Sequence, residues 1–231
     1  MDKKTKHQQT KKWAAEQLAM LSQLSKQSQP WTWPKKGVIL SLDIQYEGNT
    51  AFSAVDLSDQ NGKGIGMQLK AYPVEQPYVS GFFSFREGPI LVQAIQQVQK
   101  THPVACILVD GHGRAHPRKM GLACWVGIKL DLPTVGVAKR SLLQYSDTLD
   151  QEQDAVLAIK DQQEVLGWVW RSRENVKPLF VSPGHRMDAD LALDLAKKQA
   201  GSYRQIESLR RADFYARRLA KGLVQEGVVF Y

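Results

Sequence analysis

The clearest feature of the chain is an apolar run, Val38-Ile39-Leu40-Ser41-Leu42-Asp43-Ile44, broken only by a serine and an aspartate. Such a run reads as a strand covered on both faces. Two further strands are predicted at 51–57 and 65–72, the second entered through Gly62-Lys63-Gly64, and the short spacings between the three imply an antiparallel meander. The period then changes. Leu91, Ala94, Ile95 and Val98 fall at i, i+3, i+4 and i+7, predicting a helix that begins near Pro89. A strand at 105–110, a helix at 119–130 and a strand at 134–138 follow. Residues 155–159 and 165–170 read as strands, the first short enough to be helical, and 179–181 as a short apolar strand. Helical spacing returns at 187–200 and 207–221. Ahead of the meander, Ala14, Leu18, Leu21 and Leu24 recur at helical spacing. They predict an amphipathic helix that follows frayed residues 1–12, runs to about Lys26 and is ended by Pro30, Trp31, Trp33 and Pro34. The expected organisation is therefore a helix and Pro/Trp segment, 1–34, packed on or linked to the core, and one α/β domain, 35–231. In that domain an antiparallel three-strand meander continues into parallel strands flanked by helices.

Composition narrows the class. The chain has 231 residues, 43% of them apolar, enough for a packed core and too many for wholesale disorder. Two cysteines, Cys106 and Cys124, exclude a disulfide framework and a Cys-only zinc site. There is no membrane-length apolar run and no apolar leader in the basic first residues, so a cytoplasmic protein without a membrane partner is expected. The 31 Lys and Arg exceed the 23 Asp and Glu, for a net charge of +8, which suggests a polyanionic partner. Between Lys197 and Lys221 eight Lys and Arg face only Glu207 and Asp213. Such a run can contact phosphates, or it can be a solvated helix face.

Four carboxylates stand out. Asp43 interrupts an apolar strand, where an unpaired charge costs several kcal/mol; it needs a metal, a cation or a donor, and a salt bridge or capped turn would serve too. Asp110 ends another apolar strand and precedes Gly111-His112-Gly113, at the strand end where α/β folds place ligands, although Asp-Gly also favours a simple turn. Glu87 opens a helix, where the dipole alone would favour it. Asp213 can pair with Arg217 four residues on. Together with a basic surface, such carboxylates suit a hard divalent cation such as Mg²⁺ set against a phosphodiester. His112 and His116 are four apart, but Gly113 and Pro117 argue against a helix presenting both to zinc. There is no phosphate-binding Gly-x4-Gly-Lys-Ser/Thr loop, and Gly62, Gly64 and Gly66 fit a hairpin turn.

From Gly37 to Arg218 the chain resembles the endonuclease V family of deoxyinosine-directed nucleases. The matching segments are Ser-Leu-Asp43-Ile, Pro-Tyr-Val-Ser-Gly-Phe-Phe-Ser-Phe-Arg-Glu87-Gly-Pro, Val-Asp110-Gly-His-Gly-Arg-Ala-His-Pro-Arg, Gly-Val-Ala-Lys139 and Val-Ser-Pro-Gly-His185-Arg. The resemblance implies an RNase H-like mixed sheet and Mg²⁺-dependent hydrolysis (Mn²⁺ substituting) of the second phosphodiester 3′ of a deaminated base, leaving 3′-hydroxyl and 5′-phosphate ends, in DNA repair. It implies Asp43 and Asp110 as metal ligands, Glu87 and Asp213 completing the acidic cluster, and Lys139 at the scissile phosphate or the attacking water. Pro77, Tyr78, Val79 and Ser80 become a strand-separating wedge. Gly111, Gly113, His116, Gly121, Leu122 and Leu142 become a pocket in which small residues let an extruded base lie against backbone. His185, Arg210 and Arg211 become phosphate contacts. The family's wedge usually ends in proline; Ser80 here lacks that fixed φ, which predicts a more mobile wedge and a weaker grip. The resemblance implies a monomer acting on DNA with deaminated bases. Alternatives are a ribonuclease for inosine-containing RNA, the incision domain of a longer excision nuclease, and a non-catalytic binder of deaminated or branched nucleic acid.

Overall fold

The computed structural model describes residues 3–24, 37–145 and 148–230. The meander forms as expected: β1 (Val38–Glu47), β2 (Thr50–Ser58) and β3 (Gly64–Pro73) pair antiparallel in sequence order. Helix α2 (Phe83–Gln99) then leads to β4 (Val104–Asp110), which lies parallel to β1. Helix α3 (Leu122–Leu130) leads to β5 (Thr134–Ala138), parallel to β4. Strands β6 (Val156–Asp161), β7 (Glu164–Trp170) and β8 (Leu179–Pro183) extend the sheet antiparallel from β5. Helices α4 (Ala189–Lys198) and α5 (Glu207–Ala220) follow, and β9 (Gly227–Phe230) pairs with β3. The sheet order is β6-β7-β8-β5-β4-β1-β2-β3-β9. This is a mixed sheet flanked by helices, of the RNase H-like kind expected.

Alternation along the central strands divides the core. Leu40, Leu42 and Ile44 of β1 and Ile107 and Val109 of β4 face α2 and α3. Ile39 of β1, Leu108 of β4 and Val135 and Val137 of β5 face α4 and the start of α5, while Ala54, Met67 and Leu69 pack on Ala212, Ala216 and Leu219 of α5. Both faces of the middle strands are buried, so their sequences are nearly continuous apolar runs. Each such side chain contributes roughly 1.5–3 kcal/mol relative to exposure.

Several boundaries differ from the sequence reading. Helix α2 starts at Phe83, well ahead of Pro89, which sits inside it. Residues 156–161 are a strand, resolving the helix–strand ambiguity there, because β7 offers a complete antiparallel partner. Strand β9 carries no alternation that announces it. Helix α1 (Lys3–Met20) begins within the segment expected to fray, and a short 3₁₀ turn, Leu21–Gln23, continues it. Its inward face is Trp13, Gln17 and Met20, one position off the predicted Ala14 and Leu18, of which Leu18 is 55% exposed, whereas Leu21 and Leu24 pack on the core as predicted. Docking overrides the aliphatic pattern because Trp13 stacks on Phe85 at 5.1 Å. The Pro30–Pro34 segment lies outside the described residues.

Candidate active site

The period of two along a strand places the acids. Ile39 and Ser41 share a face of β1 with Asp43; Cys106 and Leu108 share a face of β4 with Asp110; Val135 and Val137 of β5 precede Lys139 at the same spacing. Ser41 accordingly meets Ser208 of α5 at 2.7 Å. Leu42 pairs with Val109 in the parallel register, so Asp43 and Asp110 follow side by side on strands about 4.8 Å apart. Lys139 Nζ lies 2.5 Å from Asp110 Oδ2. From α5, Asp213 joins through Gln45, whose Nε2 donates to Asp43 Oδ2 at 3.1 Å and to Asp213 Oδ1 at 3.3 Å. Arg217 Nε also lies 2.9 Å from both Asp213 oxygens, so the ordinary helix pair exists beside the shared cluster. Glu87 reaches the same place from α2, on the other side of the sheet, and is only 7% exposed.

The electrostatics follow from this crowding. Burial, then the Asp110 charge, push Asp43 up to about 7, against the opposing donor of Gln45. Burial, then Asp43, hold Glu87 well above the usual carboxylate range. Burial depresses the Lys139 ammonium, but the charge and hydrogen bond of Asp110 outweigh it, and Lys139 titrates above its ordinary value. Such a cluster holds excess negative charge that a bound cation would relieve. Among the described residues no three His, Cys, Asp or Glu side chains converge as a preformed cage. Mg²⁺ does not require one: it keeps several waters and takes one or two carboxylates plus substrate phosphate. The neighbouring carboxylates of Asp43 and Asp110 fit that description, while one nitrogen of the His112–His116 pair is already engaged. His116 Nδ1 accepts from the Arg118 backbone N–H at 3.2 Å, and burial, ahead of the Arg118 and His112 charges, pushes His116 down to about 4.

A cavity of about 440 Å³ opens beside the acids. Asp43, Glu87, Asp110 and Lys139 line one part; Gly111, His116, Gly121, Leu122 and Leu142 line another; Tyr78 and Ser80 stand at it as well. Tyr78 is 62% exposed. Two of the expected glycines, and Gly136, have a packing role of their own. A Cβ on Gly113 would meet Pro183 O at 2.2 Å, one on Gly121 would meet His112 O at 2.2 Å, and one on Gly136 would meet Gly113 N at 2.5 Å. These positions let the 111–113 backbone lie flat between β5, β8 and the start of α3. Gly113 therefore supports the wall from behind and is not among the residues lining the cavity.

Three expected phosphate contacts are engaged elsewhere. His185 N–H donates to Thr134 Oγ1 at 2.9 Å, and its Nε2 lies 3.0 Å from Asp131 Oδ1. Thr134 begins β5, so His185 sits at the opposite end of a five-residue strand from Lys139, about 16 Å away. Arg211 pairs with both oxygens of the fully buried Asp56, at 2.7 and 2.8 Å. Arg210 pairs with Glu207 at 2.6 Å and covers the Tyr203 ring. Much of the basic run is thus internal architecture: Arg204, too, donates to the carbonyls of Lys177, Pro178 and Lys139, fixing the backbone that carries Lys139. Sequence reasoning missed Gln45, although its place two residues after Asp43 was a usable signal. It also missed Gln17, Arg118 and Arg204, whose partners are far along the chain and leave no local trace.

Comparison with known proteins bears on this arrangement. The sequence profile of the family described as endonuclease V matches residues 19–214. The chain belongs to the endonuclease V family. It is 35% identical over 189 residues to endonuclease V of Kosmotoga olearia, covering 81% of this chain and 83% of that one. The crystal structure of endonuclease V from Streptomyces avermitilis superposes with a TM-score of 0.81 at 29% identity, covering 92% of this chain and 93% of the other. Endonuclease V of Ciona intestinalis, crystallised with a 24mer DNA containing an inosine followed by a ribo-adenosine, shares the fold with a TM-score of 0.82 at 23% identity, covering 94% of this chain and 100% of that one. Among the described residues no helix is long and apolar enough to cross a membrane.

Proposed function

We propose that this endonuclease binds strands carrying a deaminated base, chiefly deoxyinosine in DNA, and hydrolyses the second phosphodiester 3′ of it, leaving a 3′-hydroxyl and a 5′-phosphate. The observation that carries this reading is that one cavity of about 440 Å³ is bounded by both the acidic cluster and the glycine-framed wall. A base extruded into the glycine end leaves its 3′ backbone beside the acids. Asp43 and Asp110 would hold Mg²⁺, with Glu87 and Asp213 completing the acidic cluster beside them. When bound, the cation supplies positive charge at the scissile phosphate and acidifies the attacking water. Gln45 keeps Asp43 and Asp213 in one orientation. Lys139, close to Asp110, presents its ammonium to a phosphate oxygen or to the water. Tyr78 fills the gap that the extruded nucleotide leaves in the stack. We place the enzyme in the cytoplasm, acting as a monomer, with Cys106 and Cys124 buried as free thiols.

The test is a mapped cleavage assay on matched DNA and RNA strands, each with one inosine, with Mg²⁺ and with EDTA. The proposal expects a cut at the second phosphodiester 3′ of inosine in DNA, lost with EDTA. Faster cutting of the RNA strand would move the substrate to inosine-containing RNA through its 2′-hydroxyl contacts. Binding without turnover of either strand would show a non-catalytic binder.

A further inference from the structure

Helix α1 lies almost entirely ahead of the stretch that the family profile matches, yet it reaches the Tyr78 loop by two routes. The first is apolar. Trp13 stacks on Phe85 at 5.1 Å, tilts against Phe82 at 5.8 Å, and shares a buried cluster with Val79. The second is polar. Gln17 is 1% exposed and lines the cavity. Its Oε1 accepts from Arg118 Nε at 2.6 Å, and its Nε2 donates to Met120 O at 3.0 Å. Arg118 Nη2 in turn donates to Gly81 O, and the guanidinium covers the Phe82 ring at 4.5 Å. The backbone N–H of the same Arg118 donates to His116 on the cavity wall. One arginine therefore ties the helix, the Tyr78 loop and the pocket loop together.

We propose that α1 is a brace for the Tyr78 loop, with Gln17 and Arg118 as positioning residues for strand separation at a deaminated base. The inference rests on the reading of Tyr78 as the wedge. A side chain that enters a base stack does work against stacking, and it can do so only if its loop yields less readily than the bases. Residues 77–81 have no helix or strand of their own to supply that stiffness. A buried amide is costly unless paired, and the pairs of Gln17 run to the 116–120 loop, whose Arg118 holds the wedge loop. Single strands need no separation, so loss of the brace acts on duplex substrate selectively.

The experiment measures single-turnover incision of one inosine in duplex and in single-stranded DNA for the full chain, Gln17→Met, Arg118→Met, the double variant and Tyr78→Ala. The ratio of duplex to single-strand rate is the readout. The brace predicts that Tyr78→Ala lowers the ratio, that each of the other single variants lowers it about fivefold, the order of one net hydrogen bond, and that the double variant falls no further than either single. A general loss of folding or of catalysis lowers both rates alike and keeps the ratio. If Tyr78→Ala lowers the ratio while Gln17→Met and Arg118→Met keep it, the brace is overturned and the wedge stands. If Tyr78→Ala also keeps the ratio, the wedge reading fails and the brace falls with it.

Discussion

Asp43 lies between the like charges of Asp110 and Asp213, and its proton controls how the site meets a cation. Its folded-state pKa, about 7, is raised from 3.8. Its contribution to stability is therefore fully present below the unfolded value and is lost as pH rises through about 7. A cation reverses that loss, because it binds the carboxylate and not the acid. The apparent Mg²⁺ affinity, measured by titration calorimetry, is expected to fall about tenfold from pH 8 to pH 6. The thermal midpoint is expected to rise on adding Mg²⁺ more at pH 8 than at pH 6. A flat pH profile of affinity would remove Asp43 from the metal site. Ser80 is a second residue-level case. Phe82 N–H donates to Val79 O at 3.0 Å, and Gly81 has φ +79°, the signature of a type II turn, which favours proline at the position Ser80 occupies. Ser80→Pro is expected to stabilise the fold by about 0.4–1 kcal/mol in thermal unfolding and to tighten binding to inosine-containing DNA. Unchanged binding would show that the brace, not the turn, sets the stiffness of the wedge. Asp43 and Asp110 were legible because a charge in an apolar run is conspicuous. The place of His185 was not legible, since a histidine that pairs with an αL residue at a helix end, Asp131 with φ 53°, looks the same in sequence as one that meets a substrate.

At the scale of elements, strand alternation explains why the acids converge. Asp43 within β1, Asp110 at the end of β4 and Lys139 just after β5 are each in phase with apolar residues on one face, and parallel pairing brings these three positions together. These strands, the meander and the C-terminal helices could be read from period and breakers alone. What could not be read were pairings set by distant partners: β9, the inward face of α1, and the internal use of the basic run. A helix that carries many arginines looks like a phosphate-binding face until their partners are known. Arg211 tests this directly. Arg211→Met takes the guanidinium from the buried Asp56 and is expected to cost roughly 3 kcal/mol of unfolding free energy in urea. The slope of log binding constant against log salt is expected to change by less than about one unit, since no phosphate contact is lost. Intact stability with a salt slope reduced by about one would make Arg211 a phosphate contact after all.

For the molecule as a whole, the sheet, nine-stranded among the described residues and coated by helices on both faces, brings carboxylates from β1, α2 and β4 to one cavity, with Asp213 of α5 joined to them through Gln45. The N-terminal helix adds a wall residue to that cavity and a brace to the loop beside it. The proposed function thus assigns binding to the cavity wall and turnover to the acids. That separation is the central claim, and the most direct measurement sets binding against turnover in Asp43→Asn. Equilibrium binding to inosine-containing DNA without Mg²⁺, and single-turnover incision with it, are measured for both proteins. The expected result is binding within about threefold of the unsubstituted protein, or tighter, since a like charge near phosphate is removed, and incision slower by about a thousandfold or more. Incision at the unsubstituted rate, or a loss of binding as large as the loss of rate, would contradict the account.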